Sequence, residues 1–224
     1  MERHQHQDID RIRQDLLRMG GLVEEMITNS MRALVERSSD VAIDVIKGDA
    51  AIDSLQKQID EECQTVLALY QPTASDMRFL VSAMKIDTDL ERMGDSAVNI
   101  AQSVLVLNQE PPLKPYVDLP RMTTLVNGMV RDALDCFVKR DSHTAIEVCK
   151  RDDEVDALYH QLFRELLTYM MEDPRAVTRA LHLLLIARNL ERVADHATNI
   201  AEDVVYYVEG RDIRHLGDQT AEPL

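Results

Sequence analysis

From about Asp8 to Arg37 apolar residues recur every three or four positions (Ile9, Ile12, Leu16, Met19, Val23, Met26, Ile27, Leu34), the period of a helix with one buried face. Met1 to Gln7, with His4 and His6, reads as a frayed start. Ser38-Ser39-Asp40 offers a stop and a fresh cap. A short helix is predicted to about Lys47, where Gly48 weakens it. Asp49 is then placed to cap a helix whose inner face carries Ile52, Leu55, Ile59, Val66 and Leu69. Gln71-Pro72-Thr73-Ala74-Ser75 interrupts the pattern, with Thr73 or Ser75 as the cap. The next helix carries Phe79, Ala83, Ile86, Leu90, Met93, Ala97, Ile100, Val104 and Leu107 in alternating four- and three-residue steps. That heptad-like seam suits helices packed nearly antiparallel in a bundle.

Asn108 to Pro120 holds Pro111, Pro112, Pro115 and Pro120, so no helix runs through it and it reads as a linker. Beyond it the first half repeats. Met26, Ala42, Ile43, Asp49 and Asp53 correspond to Met129, Ala145, Ile146, Asp152 and Asp156, a shift of 129 − 26 = 103. By Glu91 and Glu191 the shift is 100, which places a three-residue deletion near the turn at Asp173-Pro174, a cap followed by proline at the first helical position. The expected organisation is a first three-helix bundle over 1–107, a linker over 108–120, a second bundle over 121–210 and a polar tail over 211–224. Each copy is read as one long, one broken and one long helix. The fold class is all-α, a tandem duplication of three-helix bundles with six main helices.

Composition supports that class. Apolar residues are 45 % of the chain, aromatics only 4 %, and Trp is absent, so Leu, Ala, Val, Ile and Met fill the core, which favours helices over sheets. A formal charge of −15 argues against nucleic acid and favours cations or a basic partner surface. Cys63, Cys136 and Cys149 are odd in number and lack metal or redox spacing, so they read as buried or half-buried thiols of a reducing compartment. Neither a signal peptide nor an apolar run long enough to span a bilayer is evident, and the expected location is the cytoplasm.

The chemistry concentrates in acidic pairs at four-residue spacing, each present once per half: Asp49 with Asp53, Glu91 with Asp95, Asp152 with Asp156, and Glu191 with Asp195. Four-residue spacing puts both acids of a pair on one helix face, where like charges cost roughly 0.2–0.5 kcal/mol. A hard divalent or trivalent cation reverses that sign, and carboxylates from adjacent antiparallel helices can hold more than one ion. In the first half the stripe extends upstream through Asp87. Plainer roles stand beside this one: Asp49 and Asp152 as caps, Asp95 and Asp195 in surface ion pairs with Arg92 and Arg192, Asn99 and Asn199 bonded to a neighbouring helix, His196 as a polar residue facing solvent. The metal reading gains from recurrence. Between 90–105 and 190–205, nine of 16 positions are identical, the acids among them. No phosphate-binding glycine loop is present, and the Glu-x-x-His pairs of di-metal bundle enzymes are absent.

Leu-Glu-Arg-x-x-Asp-x-Ala-x-Asn-Ile-Ala in each half, with the preceding Asp-x-x-x-Asp pairs, resembles the PhoU family from about Gln7 to Arg211. The resemblance implies a non-catalytic negative regulator of the phosphate-starvation response and of phosphate uptake. Its implied partners are the high-affinity phosphate ABC transporter, through its ATPase subunit, and a phosphate-sensing histidine kinase, with membrane association only through them. It also implies metal clusters held by Asp49, Asp53, Glu91, Asp95, Asp152, Asp156, Glu191 and Asp195. Oxygen ligands alone do not choose among iron, manganese, magnesium, calcium and zinc. Two like halves make a homodimer an expectation. A di-metal carboxylate enzyme and a purely electrostatic protein-binding module are the alternatives.

Overall fold

The computed structural model describes residues 2–213, with side chains from residue 4 onward; most of the predicted tail lies outside the described residues. Among the described residues seven α-helices follow one another: α1 Glu2–Glu36, α2 Ser39–Tyr70, α3 Ala74–Leu107, α4 Asp118–Lys139, α5 Ser142–Lys150, α6 Asp152–Glu172 and α7 Val177–Glu209, with a 3-10 turn, Pro174–Ala176, before α7. Helices α1 to α3 form one bundle and α4 to α7 the other, and the two are joined along α3 against α7 and α1 against α4. One continuous apolar core runs through both bundles. Among the described residues no helix is long and apolar enough to cross a membrane.

The seam from Phe79 to Leu107 is buried at every predicted position, as are the apolar positions of α1. Leu69 is not: it is 64 % exposed at the fraying end of α2. The N-terminus is helical from Glu2, and Gln5 donates to Asp76 at 3.0 Å, so it is held rather than frayed. Ser38 caps α2 by accepting from the Val41 amide, and its counterpart Asp141 caps α5 by accepting from the His143 and Thr144 amides. The residue before each cap, Arg37 or Arg140, takes a left-handed conformation that ends the preceding helix. Thr73 occupies the α3 N-cap position without a side-chain bond to a backbone amide, while Asp173 caps the turn at Pro174 as expected.

The predicted break at Gly48 does not occur; α2 is continuous there. The break falls instead at the equivalent position of the second half, Arg151, between α5 and α6. Local charge explains the difference. Lys150 and Arg151 lie at the end of one helix and Asp152, Asp153 and Glu154 in the first turn of the next, each sign favoured by the helix dipole at its own end. Around Gly48 the following Ala50 and Ala51 favour uninterrupted helix, offsetting the glycine. Arg151 also reaches out of the turn to Asp132 on α4 at 2.6 Å. The expected linker ends three residues early: α4 starts at Asp118, and Pro120 sits in its first turn, where a missing N–H is harmless. The linker is tied to both halves, through Arg37 to the carbonyl of Asn108 and Arg179 to that of Pro111.

Candidate functional site

Helices α2 and α3 approach closely at Gly94. A Cβ placed there would lie 2.9 Å from Ile52 Cδ1 and 3.6 Å from Asp49 Oδ1. The bare glycine therefore lets α2 settle against α3 at the level of the acids. Asp49 and Asp53 of α2 and Glu91 and Asp95 of α3 are half-buried or exposed there. They act on one another. Burial first, then Asp53 and Asp95, raise Asp49 above the ordinary carboxylate range. Burial, then Asp95, Asp53 and Asp49, raise Glu91. Asp49 lies inside α2 and caps nothing.

In the second half Asp152 and Asp156 of α6 face Glu191 and Asp195 of α7. Burial, then Asp195, Asp156 and Glu191, push Asp152 up to about 6. Glu191 is raised by burial and Asp195, and Asp195 by burial, with Arg188 opposing both shifts. Asp152 is the first residue of α6 and makes no capping bond. Its Oδ1 is buried without a partner, as is Oε2 of Glu191. The other oxygen of Glu191 accepts from Nη1 of Arg188, whose guanidinium stacks 5.8 Å from the Tyr159 ring centroid.

Each half thus gathers its four predicted acids at one helix–helix seam. An all-oxygen donor set suits a hard cation, and in the second half two of those oxygens are buried and unpartnered. Among the described residues, however, no three His, Cys, Asp or Glu side chains converge tightly enough to hold one ion between them. The donors are gathered, not closed around a point. A cation would have to draw these side chains inward.

Several expected neighbours differ. Asp87 is fully buried rather than part of a surface stripe. Burial, then Asp60, push it up to about 7, and its Oδ2 has no partner. Arg92 and Arg192 form no close ion pair with Asp95 or Asp195 among the described residues; Arg188 is the cation bonded to the second cluster, and Arg192 acts on it from farther away. His196 is not a surface group. Its Nδ1 lies 2.9 Å from Oδ1 of Asp89 on α3, and both side chains are nearly buried. Asn199 donates to the same oxygen at 3.5 Å, while Lys85 bonds Asp203 at 2.7 Å. These bonds join α3 to α7 across the two halves. Asp89 and Asp203 escaped the sequence reading because their duplicates are Asn189 and Ser103, so recurrence gave no signal.

The profile of the PhoU domain matches the chain twice, over residues 16–104 and 119–204. The phosphate-specific transport system accessory protein PhoU homolog of Aquifex aeolicus is 45 % identical over 208 residues, 93 % of this chain and 94 % of that protein. The crystal structure of PhoU from Pseudomonas aeruginosa matches with a TM-score of 0.89 at 42 % identity, covering 92 % of this chain and 99 % of that one. That of the phosphate transport system regulatory protein PhoU from Streptococcus pneumoniae matches with a TM-score of 0.87 at 32 % identity, covering 93 % and 99 %.

Proposed function

The chain belongs to the PhoU family, and from that membership we propose that it is an accessory protein of a phosphate-specific transport system. In this reading it works without catalysis, as a negative regulator of phosphate uptake and of the phosphate-starvation response. It links the ATPase subunit of the phosphate ABC transporter to the phosphate-sensing histidine kinase. The observation that carries the reading is the carboxylate seam built twice, at equivalent positions of two halves that otherwise diverge. Helix packing does not require four acids at a half-buried seam; their mutual repulsion opposes it.

We further propose that the seams bind divalent or trivalent cations. Asp49, Asp53, Glu91 and Asp95 would hold metal in the first half, and Asp152, Asp156, Glu191 and Asp195 in the second. A bound cation supplies positive charge that relieves the repulsion and links the two helices of each seam. Metal analysis of the purified protein tests this: replacing Glu91, Asp95, Glu191 and Asp195 by Ala should abolish bound metal, and equal content in both proteins would sink it. The regulatory part is tested with the purified ATPase subunit and the cytoplasmic part of the kinase. Binding to both that weakens with the four-Ala protein supports the adaptor, and binding to neither refutes it.

A homodimer completes the proposal. Phe163, Leu167 and Met171 of α6 are exposed in a four-residue stripe, whereas their first-half counterparts are Asp60, Gln64 and Ala68. Light scattering on the wild type and on a Leu167→Asp/Met171→Asp variant decides it: a dimer reduced to a monomer is expected, and a monomeric wild type ends the idea.

A further inference from the structure

The groove between α3 and α7 holds two cavities that the duplication relates. One, of about 330 Å³, is lined by Lys85, Thr88, Asp89 and Arg92 of α3 and by Asn199 and Asp203 of α7. The other, of about 490 Å³, is lined by the equivalent positions with the helices exchanged: Leu185, Arg188, Asn189 and Arg192 of α7, and Asn99 and Ser103 of α3. Their charges differ. In the first, two cations meet two carboxylates, and Lys85 is bonded to Asp203. In the second, Asn189 and Ser103 replace both carboxylates and Arg188 replaces Thr88, so two guanidinium groups face no acid among the lining residues. In a protein of net charge −15 a cavity of that sign is unusual.

Its donors are only partly engaged. Arg192 makes no hydrogen bond or close ion pair among the described residues, although its charge acts on Glu191 and Asp195 from a distance. His182, which lines the same cavity, has a buried Nδ1 with no partner. Asn99 and Gln102 bring two amides, each with an N–H donor and a carbonyl acceptor. Asn189 uses its N–H on the Leu185 carbonyl at 2.8 Å, which leaves its oxygen as an acceptor. Arg188 is held through Nη1 by Glu191, so that carboxylate positions the guanidinium while its other N–H groups stay available.

We propose that this cavity binds a phosphoryl group, either free orthophosphate or the phosphate of a small nucleotide. Two planar guanidinium forks match the edges of a tetrahedral oxyanion. The amide oxygens accept the P–O–H proton of the monoprotonated ion, which sulfate lacks. The cavity exceeds the size of orthophosphate, and Val106 and Leu185 give it an apolar wall on which a base could lie. This goes beyond the regulatory reading above and requires no metal, since none of the eight candidate metal ligands lines the cavity.

Calorimetry on the full chain, stripped of metal and kept in low-salt buffer without phosphate, tests the proposal with orthophosphate, AMP and sulfate as probes. Saturable binding of orthophosphate or AMP is expected, with sulfate at least several-fold weaker. Tighter AMP assigns the site to a nucleotide; equal or tighter orthophosphate assigns it to the free ion. Arg192→Ala should weaken binding roughly tenfold or more, because a hydrogen bond to a charged group is lost. Arg192→Lys should retain part of the affinity, and Arg92→Ala, in the sister cavity, should leave it unchanged. Circular dichroism and thermal melting check that each exposed Arg variant still folds. No saturable binding of either phosphoryl probe would overturn the proposal. So would equal loss in Arg192→Ala and Arg92→Ala, or sulfate binding as tightly as orthophosphate.

Discussion

The two halves keep the same four acids but accommodate them differently. In the first half, α2 runs unbroken past Asp49, Gly94 admits Ile52, and among the described residues no cation is bonded to the acids. In the second, the helix restarts at Asp152, the smaller Val155 and Ala194 stand at the positions of Ile52 and Gly94, and Arg188 is bonded to Glu191. Asp87 is buried in the first half with one oxygen on the Thr88 hydroxyl and the other unpartnered, where Ala187 stands in the second. Packing residues, helix breaks and counter-charges have all been exchanged around a constant set of carboxylates. The constant set therefore answers to something other than packing, because the packing solution changed while the acids did not.

Making the halves alike tests this contrast. The largest effect is expected at Asp87. Its folded-state value of about 7 lies well above the ordinary carboxylate value of 3.8. Between those values the folded protein binds more protons than the unfolded chain, so the group costs stability increasingly as pH rises through 7, and costs nothing below about 3.8. Asp87→Asn should accordingly stabilise the protein on the order of 3 kcal/mol at pH 8 and change little at pH 4. Urea denaturation at the two pH values reads the difference, and an equal effect at both would remove the buried charge from the account.

Next comes the seam at Gly94. Gly94→Ala gains helix propensity but drives a methyl group against Ile52, an overpacking cost of roughly 1–3 kcal/mol. Ile52→Val removes the offending carbon and, with Gly94→Ala, reproduces the residues of the second half, Val155 and Ala194. A double-mutant cycle should give a favourable coupling of about 1–2 kcal/mol, and additive effects would mean that the two halves do not pack by exchange of size.

Arg188→Thr would give the second half the residue found at 88. With metal removed, Glu191 would then face Asp195 and Asp156 without its bonded cation, and about 1–2 kcal/mol of stability should disappear at pH 7.5. The same comparison at pH 4, where Glu191 is largely protonated, should show little change. Melting curves at both pH values separate this electrostatic effect from simple loss of side-chain contacts. The smallest effect belongs to Gly48, whose added Cβ would meet only Met26 at ordinary contact distances. Gly48→Ala should stabilise by about 0.5–1 kcal/mol through propensity alone. A loss instead would mean that the glycine serves the continuity of α2 in some other way.

Much of this was legible in order along the chain. The spacing of Phe79 to Leu107, the caps at Ser38 and Asp173, the proline-rich linker and the eight duplicated acids rest on local geometry and internal repetition. Gly48 misled because a single glycine costs only about 1 kcal/mol in a helix, less than the flanking alanines and tertiary packing restore. Arg151 went unnoticed because a helix restart there depends on charges arranged about two helix dipoles and on an anchor, Asp132, from another helix.

By itself, the sequence determined an all-α fold built from two copies, and which carboxylates recur. Only the tertiary structure decided which charges are buried and what faces them. Asp87 lies inside, His196 meets Asp89 across the two halves, Arg188 rather than Arg192 is bonded to Glu191, and one of two related cavities has no carboxylate in its lining. The physical reason is range. Helical periodicity and capping are fixed within a few residues of chain, whereas the environment of a charge depends on groups about 100 residues away, at positions where the two copies no longer agree.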